Sequence, residues 1–254
     1  MTAPLLELRD ATKRFGGVLA LDSVSFDVAE GELVGLIGPN GAGKTTLLNC
    51  LSRVYRLDGG TITFAGSDIS RLGRHHVARL GIGRTFQIVR PFRSMTAREN
   101  VAIGALFGSD RARLPPPEAF RVADEVLDLV GLAGRGTRLV DELTVPDRRR
   151  LEMARALATR PRLLLLDEVM AGLNATEVAE AVEVVKRIHQ SGVAILVIEH
   201  VMGVIVGLCP RVVVLHFGRV LLEGEPTAVL SDPRVVEAYL GERYARRLQE
   251  ARRA

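Results

Sequence analysis

A glycine-rich run with one lysine occupies residues 38–45 and reads Gly-Pro-Asn-Gly-Ala-Gly-Lys-Thr. This spacing matches a phosphate-binding loop, in which backbone N–H groups and a helix N-terminus face the phosphates of a nucleotide. Lys44 would supply a positive charge to the β and γ phosphates, and the Thr45 hydroxyl can coordinate Mg²⁺. A glycine-rich turn with a surface lysine is the alternative, but the complete match between an apolar strand and a helix favours a nucleotide site.

A pair of carboxylates follows a second apolar run. Leucines occupy 163–166, and Asp167 and Glu168 come next. Asp167 is placed to hold Mg²⁺, directly or through water, and Glu168 to polarise a water for attack on the γ phosphate. The pair could instead cap a helix, which is less favoured because Lys44 is present.

Three further side chains are weaker candidates. His200 follows the apolar run 193–199, at the carboxyl edge where ligands of α/β folds bind, and could contact the γ phosphate. Gln87 could reach Mg²⁺ or the attacking water. Phe15, before two glycines, could stack on a purine, although a core phenylalanine is equally compatible with the sequence. A structural histidine is the alternative for His200.

The elements that must position these residues are readable from hydrophobic patterning and turn residues. The early short strands predict a small antiparallel layer, and the later continuous apolar runs predict strands buried on both faces. Asn174 is expected to cap the helix before Gly192. The predicted strands are 5–9, 24–28, 32–37, 162–167, 193–199, 211–216 and 219–223, and the predicted helices are 43–52, 118–130, the helix that begins after Asn174, and short helices after Pro226 and Pro233.

The middle third, 88–160, shows no clear strand pattern and predicts a helical subdomain inserted into the sheet. Residues 211–216 and 219–223 predict a hairpin that turns at Phe217 and Gly218. The arginine-rich end, 242–254, is expected to be a solvated basic tail, with a lipid-binding segment as the less favoured alternative.

Composition limits the class of protein. The chain has 254 residues, 34 Lys plus Arg against 30 Asp plus Glu, and 47% hydrophobic residues, so it is expected to fold as one or two domains and not to be disordered. The net charge of +4 is too diffuse in origin to indicate nucleic-acid binding.

Compartment and membrane association can also be inferred from composition. Cys50 and Cys209 are isolated, which favours a reducing compartment. Residues 1–10 lack a basic region followed by an apolar stretch, so we expect a cytoplasmic protein. The apolar stretch 201–217 is interrupted by Pro210 and Arg211 and is too short to span a membrane. Any membrane contact is therefore expected to go through a partner.

The order of these motifs resembles that of ATP-binding-cassette transporter ATPases, over almost the whole chain. Finer segments are most similar to the branched-chain amino-acid importer ATPases, with the lipopolysaccharide-export ATPase as the nearest alternative. These segments are RTFQIVRPFRSMTARENV, RRRLEMARALA, LDEVMAGLN, VIEH and DPRVVEAYLG. The resemblance implies an α/β fold with a P-loop NTPase core sheet covered by helices on both faces, a small N-terminal antiparallel layer and an inserted helical subdomain.

The resemblance also assigns roles to individual residues. It implies an ATPase that uses ATP and Mg²⁺, with Glu168, His200 and Gln87 catalytic and with Thr45, Gln87 and Asp167 at the metal. The nucleotide contacts that it implies are Phe15, Val18, Gly38, Pro39, Asn40, Gly41, Ala42, Gly43, Lys44, Thr45 and Thr46.

Partners follow from the same resemblance. Two cassettes of this family dimerise head to tail, so that ATP lies between one chain's phosphate loop and the other's signature loop. This implies that Ala171–Asn174 lie at the dimer contact and that Ile88–Asn100 lie near a permease. We expect one cassette domain over 1–241, with its helical subdomain over 88–160, on the inner face of the membrane. The permease would in turn receive substrate from an external binding protein.

One departure from the family pattern lies in the signature segment, Leu143–Asp147. The family has Leu-Ser-Gly-Gly-Gln, whereas this chain has Leu-Thr-Val-Pro-Asp. Pro146 has no N–H to donate to a phosphate, and Asp147 would repel a unit negative charge ~5 Å away by about 3 kcal/mol. Thr144 and Asp147 nevertheless have capping-box spacing, so the helix itself is expected to form.

These differences favour a heterodimer with a second cassette whose signature is intact, because a homodimer would carry two faulty composite sites. Val169, where the family has proline, is expected to alter the turn more than the reaction. The alternative function is a regulatory or structural subunit that binds ATP with little turnover, although Glu168 and His200 argue against it. A soluble cassette for DNA repair or translation would need a coiled-coil insertion or a second cassette, neither of which the sequence contains.

Overall fold

The computed structural model describes residues 3–85, 91–108 and 114–240, and the chain separates into two compact units. The first unit comprises 1–28, 33–71 and 198–254, and the second comprises 29–32 and 72–197. The predicted nucleotide residues are divided between them: the phosphate loop and His200 belong to the first unit, Asp167 and Glu168 to the second.

Strands and helices alternate along the chain. The strands are β1 (Leu6–Phe15), β2 (Val18–Val28), β3 (Leu33–Ile37), β4 (Gly59–Phe64), β5 (Ser67–Asp68), β6 (Ile82–Arg84), β7 (Leu163–Asp167), β8 (Ala194–Ile198), β9 (Arg211–His216) and β10 (Arg219–Gly224). The helices are α1 (Lys44–Leu51), α2 (Arg74–Leu80), α3 (Ala97–Phe107), α4 (Pro116–Leu129), α5 (Val145–Ala158), α6 (Ala175–Gln190), α7 (Met202–Leu208), α8 (Pro226–Ser231) and α9 (Pro233–Leu240).

The first unit contains the predicted antiparallel layer. Its strand order is β2-β1-β4-β5, and each neighbouring pair is antiparallel. The same unit holds β10-β9-β3, in which β9 runs antiparallel to β10 and parallel to β3. All five residues of β3 are buried, as its continuous apolar sequence predicts.

The second unit combines parallel strands with helices. Its strands follow the order β8-β7-β6, and β6 is parallel to β7. Every residue of β7 and β8 is buried. The predicted helical region is present as α3, α4 and α5, with a short 3-10 turn over Val140–Glu142. These features confirm the α/β fold class.

Asn100 organises the described start of the helical region. Its side-chain oxygen accepts the Phe92 backbone N–H at 2.8 Å, and its amide nitrogen donates to the carbonyls of Phe92, Met95 and Thr96. Thr96 and Glu99 form a complete capping box at the start of α3. The turn that leads into α3 is therefore fixed by one fully buried amide.

Within the described residues, no helix is both long enough and apolar enough to cross a membrane.

Candidate functional site

The phosphate loop connects β3 to α1 and needs glycine at two positions for steric reasons. Gly38 has φ of 148°, and a Cβ there would lie 2.1 Å from the Leu215 carbonyl oxygen. Gly43 has φ of 105°, and its Cβ would lie 2.6 Å from the Ala20 carbonyl oxygen. Any larger residue would have to displace neighbouring backbone, so both glycines fix the loop's path.

Lys44 is buried at the first position of α1, inside this loop. Its Nζ donates to the Gly38 carbonyl at 2.6 Å and to the Pro39 carbonyl at 3.0 Å. The ammonium group is thus held within the curve of the loop, which is the position a phosphate-binding lysine requires. Thr45 follows it on the exposed side of the helix start.

Two distant segments of the first unit hold the loop. The Gly218 N–H, between β9 and β10, donates to the Ala42 carbonyl at 3.0 Å. The Gly38 N–H donates to the phenol oxygen of Tyr239 in α9, while burial raises the pKa of Tyr239 to about 12. The loop is therefore supported by residues that lie 176 positions (Ala42 to Gly218) and 201 positions (Gly38 to Tyr239) further along the chain.

Phe15 and Val18 flank the turn between β1 and β2, and both are exposed. The Phe15 ring packs edge-on against Tyr55, with centroids 5.1 Å apart and ring planes at 74°. Lys13 Nζ lies 5.3 Å from the Phe15 centroid. Because Phe15 is 42% exposed, the core alternative is wrong, and a ring surface is accessible for stacking on a base.

Asp167 ends β7 in the second unit and is 1% exposed. Its Oδ2 accepts a hydrogen bond from Arg84 Nη2 at 3.0 Å. Its backbone N–H donates to the Thr85 hydroxyl at 3.2 Å. The predicted metal carboxylate is therefore fixed at both its side chain and its backbone.

Glu168 follows with φ of 52°, a left-handed conformation that is uncommon for a residue with a side chain. Such backbone strain is maintained by surrounding structure and clusters at functional sites. Val169, next in sequence, is buried. His200, two residues beyond β8, is exposed, and its neighbour Glu199 is buried.

The donor chemistry fits Mg²⁺. Thr45 offers a hydroxyl and Asp167 a carboxylate, and hard oxygen ligands are what Mg²⁺ prefers. Across the described parts of the chain, no group of three or more His, Cys, Asp or Glu could hold a metal. If bound with a nucleotide, Mg²⁺ would neutralise phosphate charge, and Thr45 and Asp167 are its predicted ligands.

The signature segment begins α5 and leaves few donors for an anion. Thr144 is the N-cap, and its hydroxyl accepts the Asp147 N–H at 3.3 Å. Pro146 lies between them in the first turn and has no N–H. Among the first three residues of α5, Pro146 has no N–H and the N–H of Asp147 is bonded to the cap hydroxyl. This leaves the N–H of Val145 for an anion.

The negative charge of Asp147 has a partner that the sequence did not indicate. Asp147 is 4% exposed, and its carboxylate forms a salt bridge with Arg135. Arg148, the next residue, donates to the carbonyls of Val140 and Leu143 and so holds the turn before the helix. The loss of a donor at Pro146 remains, whereas the repulsion expected from Asp147 is offset by Arg135.

Some predicted residues cannot be placed. Gln87, residues 88–90 of the expected permease-facing segment and the tail 242–254 lie outside the described residues. Asn174 caps α6 in a complete capping box with Glu177, as predicted. The assignments to individual site residues stay predictions.

Sequence reasoning missed Arg84, Thr85 and Tyr239. Arg84 and Thr85 lie at the end of a three-residue strand, which is too short for a periodic pattern to identify. Tyr239 belongs to a segment that was recognised only as similar to a family ending. No local signal in the sequence indicates that its ring reaches the phosphate loop.

Comparisons with known proteins agree with this geometry. Residues 21–171 match the ABC transporter family, and residues 219–245 match the branched-chain amino acid ATP-binding cassette transporter family. The chain is 40% identical to the high-affinity branched-chain amino acid transport ATP-binding protein LivG of Salmonella typhimurium, over 95% of this chain and all of that protein. It is 35% identical to the lipopolysaccharide export system ATP-binding protein LptB of Acidithiobacillus ferridurans, over 94% of this chain and 98% of that protein.

A crystal structure of the ADP conformation of an ABC transporter ATP-binding cassette superposes with a TM-score of 0.86. The two chains are 31% identical, and the match covers 95% of this chain and all of that one. The family match spans more than half of the sequence. The chain therefore belongs to the ATP-binding cassette transporter family, as a subunit that binds and hydrolyses ATP with Mg²⁺.

Proposed function

We propose that this chain drives an importer of branched-chain or related amino acids, bound to a permease at the cytoplasmic face of the membrane. The observation that carries the proposal is the match of residues 219–245 to the branched-chain family. That segment includes Tyr239, whose phenol oxygen accepts the Gly38 N–H of the phosphate loop. One residue of the matched segment is therefore hydrogen-bonded to the phosphate loop.

In the proposed reaction, the phosphate loop and Lys44 hold the phosphates of ATP, and Phe15 and Val18 contact the base. Glu168 accepts a proton from water while the water oxygen bonds to the γ phosphorus and the bond to the bridging oxygen of ADP breaks. Asp167 and Thr45 hold Mg²⁺. His200 contacts the γ phosphate, and Gln87 contacts the metal or the water.

The substrate class is tested by uptake. A strain that lacks the gene is assayed for import of radiolabelled leucine, isoleucine and valine, with arginine as the control substrate. Import of the branched-chain amino acids should fall and return with the wild-type gene but not with Lys44→Ala. Unchanged import of all three, together with impaired lipopolysaccharide export, would instead favour the exporter suggested by the 35% identity to LptB.

We further propose that the chain works beside a second cassette with an intact signature. A partner's γ phosphate needs backbone N–H groups at the start of the signature helix. Here Pro146 removes one, and the Thr144 hydroxyl occupies the Asp147 N–H. A homodimer would repeat this deficit at both sites, whereas a heterodimer would keep one complete site, built on this chain's phosphate loop and Glu168.

Dimerisation provides the direct test. Glu168→Gln protein should remain monomeric with Mg²⁺ and ATP in sedimentation velocity, and should dimerise only when the second cassette from the same membranes is added. An ATP-dependent homodimer would contradict the proposal. In the assembled transporter, Glu168→Gln should abolish turnover, and unaffected turnover would favour the regulatory subunit, for which the altered signature is the supporting observation.

The effect of the signature is tested separately with Pro146→Gly, which restores an N–H and leaves the Asp147–Arg135 pair intact. Turnover of the assembled transporter should rise. The matched control is Pro117→Gly, which removes a proline from the first turn of α4 in the same unit. Equal effects of the two variants would mean that helix flexibility, and not the restored donor, changes the rate. The double variant Pro146→Gly with Asp147→Gln should also raise turnover, but it leaves Arg135 without its carboxylate partner.

A further inference from the structure

Arg84 and Asp167 form a buried ion pair in the second unit. The guanidinium Nη2 lies 3.0 Å from Asp167 Oδ2, and the side chains are 6% and 1% exposed, respectively. At this depth solvent screens the pair little, so the charge on Arg84 acts strongly on the carboxylate. A functional role assigned to Asp167 must therefore take Arg84 into account.

The pairing of β6 with β7 holds this contact in place. Arg84 lies opposite Leu165 in the parallel register, and the Thr85 N–H donates to the Leu165 carbonyl at 3.0 Å. The Thr85 hydroxyl then accepts the Asp167 N–H at 3.2 Å. Arg84 is thus delivered to Asp167 by regular strand pairing and by a second bond one residue away, and not by a flexible loop.

Two cations that share one carboxylate weaken each other's binding. Arg84 stabilises the Asp167 carboxylate in the buried site, but its positive charge repels a divalent cation approaching the same group. Such coupling is reciprocal. Arg84 weakens the binding of a metal to Asp167, and a bound metal weakens the Arg84–Asp167 ion pair by the same free energy. Geometry adds a further effect, since the guanidinium restricts the position of the carboxylate oxygen to which it is bonded.

We propose that Arg84 is a positioning residue that holds Asp167 ready for Mg²⁺ and keeps the affinity for Mg²⁺ low enough for release after each cycle. The inference rests on the proposed role of Asp167 as a metal ligand. It assigns no contact between Arg84 and the nucleotide. In this arrangement Arg84 balances the negative charge of the Asp167 carboxylate when Mg²⁺ is absent.

The test measures Mn²⁺ binding to the ADP complex by electron paramagnetic resonance. Arg84→Gln removes the charge and should tighten Mn²⁺ binding about tenfold, equivalent to about 1.4 kcal/mol. Arg84→Lys keeps the charge and should bind Mn²⁺ with an affinity closer to that of the wild type than to that of Arg84→Gln. The control is Arg98→Gln, which breaks the exposed Arg98–Asp124 pair of the same unit and should leave Mn²⁺ affinity unchanged.

Asp167→Asn distinguishes the proposed metal role of Asp167 from the inference about Arg84. If Asp167→Asn binds Mn²⁺ as tightly as the wild type, the proposed metal role of Asp167 fails. If Asp167→Asn loses Mn²⁺ but Arg84→Gln binds it with unchanged or weaker affinity, the inference about Arg84 alone is overturned. A tenfold change in Arg84→Lys would also contradict it, because the charge is retained there.

Thermal unfolding covers the case in which Arg84→Gln folds poorly. The variant should lose more stability in EDTA than with Mg²⁺ and ADP, because the metal replaces the missing cation. Its unfolding temperature should therefore rise more on addition of Mg²⁺ and ADP than that of the wild type. Equal rises in the two proteins would overturn the inference without any measurement of turnover.

Discussion

At the residue scale, the buried charges of the predicted site are compensated inside the unit that carries them. Lys44 donates to two loop carbonyls, and Asp167 is paired with Arg84. Asp147 is likewise paired with Arg135 at the signature helix. Binding of a phosphate or a metal must therefore exchange existing contacts, and the net affinity is the difference between the two sets.

The buried thiols give a prediction about pH. Burial raises the pKa of Cys50 from 9.0 to about 11 and that of Cys209 from 9.0 to about 12. Between these values the folded state keeps protons that the unfolded state releases, so this stability is full below pH 9 and is lost as pH rises through 11 and 12. Urea unfolding should show a loss of about 1.4 kcal/mol per thiol for each pH unit between 9 and the raised pKa of that thiol.

Two variants check the origin of that slope. Cys50→Ala and Cys209→Ala should each reduce the pH dependence, whatever their effect on absolute stability. Native protein should also react with a thiol reagent only as fast as it unfolds, since neither thiol is accessible. Rapid labelling of the folded protein at neutral pH would contradict this account.

At the element scale, α3, α5 and α6 begin with the same kind of cap, a short polar side chain that accepts a backbone N–H three residues on. In α3 and α6 an N3 glutamate completes the box. In α5 the N3 residue is Asp147, whose carboxylate is committed to Arg135 instead. The helix is therefore capped for stability while its anion-binding capacity is reduced.

The packing of α3 against α5 predicts the effect of one methyl group. A Cβ on Gly104 would lie 2.5 Å from the Arg155 carbonyl oxygen. Gly104→Ala must therefore push the helices apart, and it should destabilise the protein by about 1–3 kcal/mol in urea unfolding. The matched control is Gly203→Ala in α7, where a Cβ meets nothing within 4 Å and should stabilise by about 0.5–1 kcal/mol. Destabilisation by both variants would remove the steric explanation.

Much of this element structure was predictable, for identifiable reasons. Continuous apolar runs form β3, β7 and β8, and such runs favour buried strands. The sequence of α6 has a polar cap and apolar residues at helical spacing, which together favour a helix. β4 and β6 were missed because β4 begins with two glycines and β6 has only three residues. The paired state of Asp147 could not be predicted, because it depends on a contact twelve residues away with an ordinary surface-type arginine.

At the scale of the whole molecule, the predicted nucleotide residues come from two compact units. The first supplies the phosphate loop and the aromatic platform, and the second supplies the acidic strand end. A ligand that binds only folded protein stabilises it by mass action. Binding of Mg²⁺ is expected to depend on the Asp167 carboxylate, whereas binding of the base is expected to depend on Phe15.

Thermal unfolding of Glu168→Gln protein with Mg²⁺ and ATP tests this expectation, since the variant should not consume the nucleotide. At about 100 times the dissociation constant, ATP should stabilise by about 2.7 kcal/mol and raise the unfolding temperature by about 5–10 °C. EDTA should reduce the rise. Lys44→Ala should show none, and a full rise in Lys44→Ala would place the nucleotide elsewhere.

The support of the phosphate loop by Gly218 and Tyr239 has a consequence for biosynthesis. The loop sequence is synthesised well before two of its hydrogen-bond partners, Gly218 and Tyr239. Contacts of such large sequence separation form late in folding because of the cost of closing long loops. A nascent chain can therefore contain the complete phosphate-binding motif without its shape, and nucleotide capture should follow synthesis of Gly218 and Tyr239.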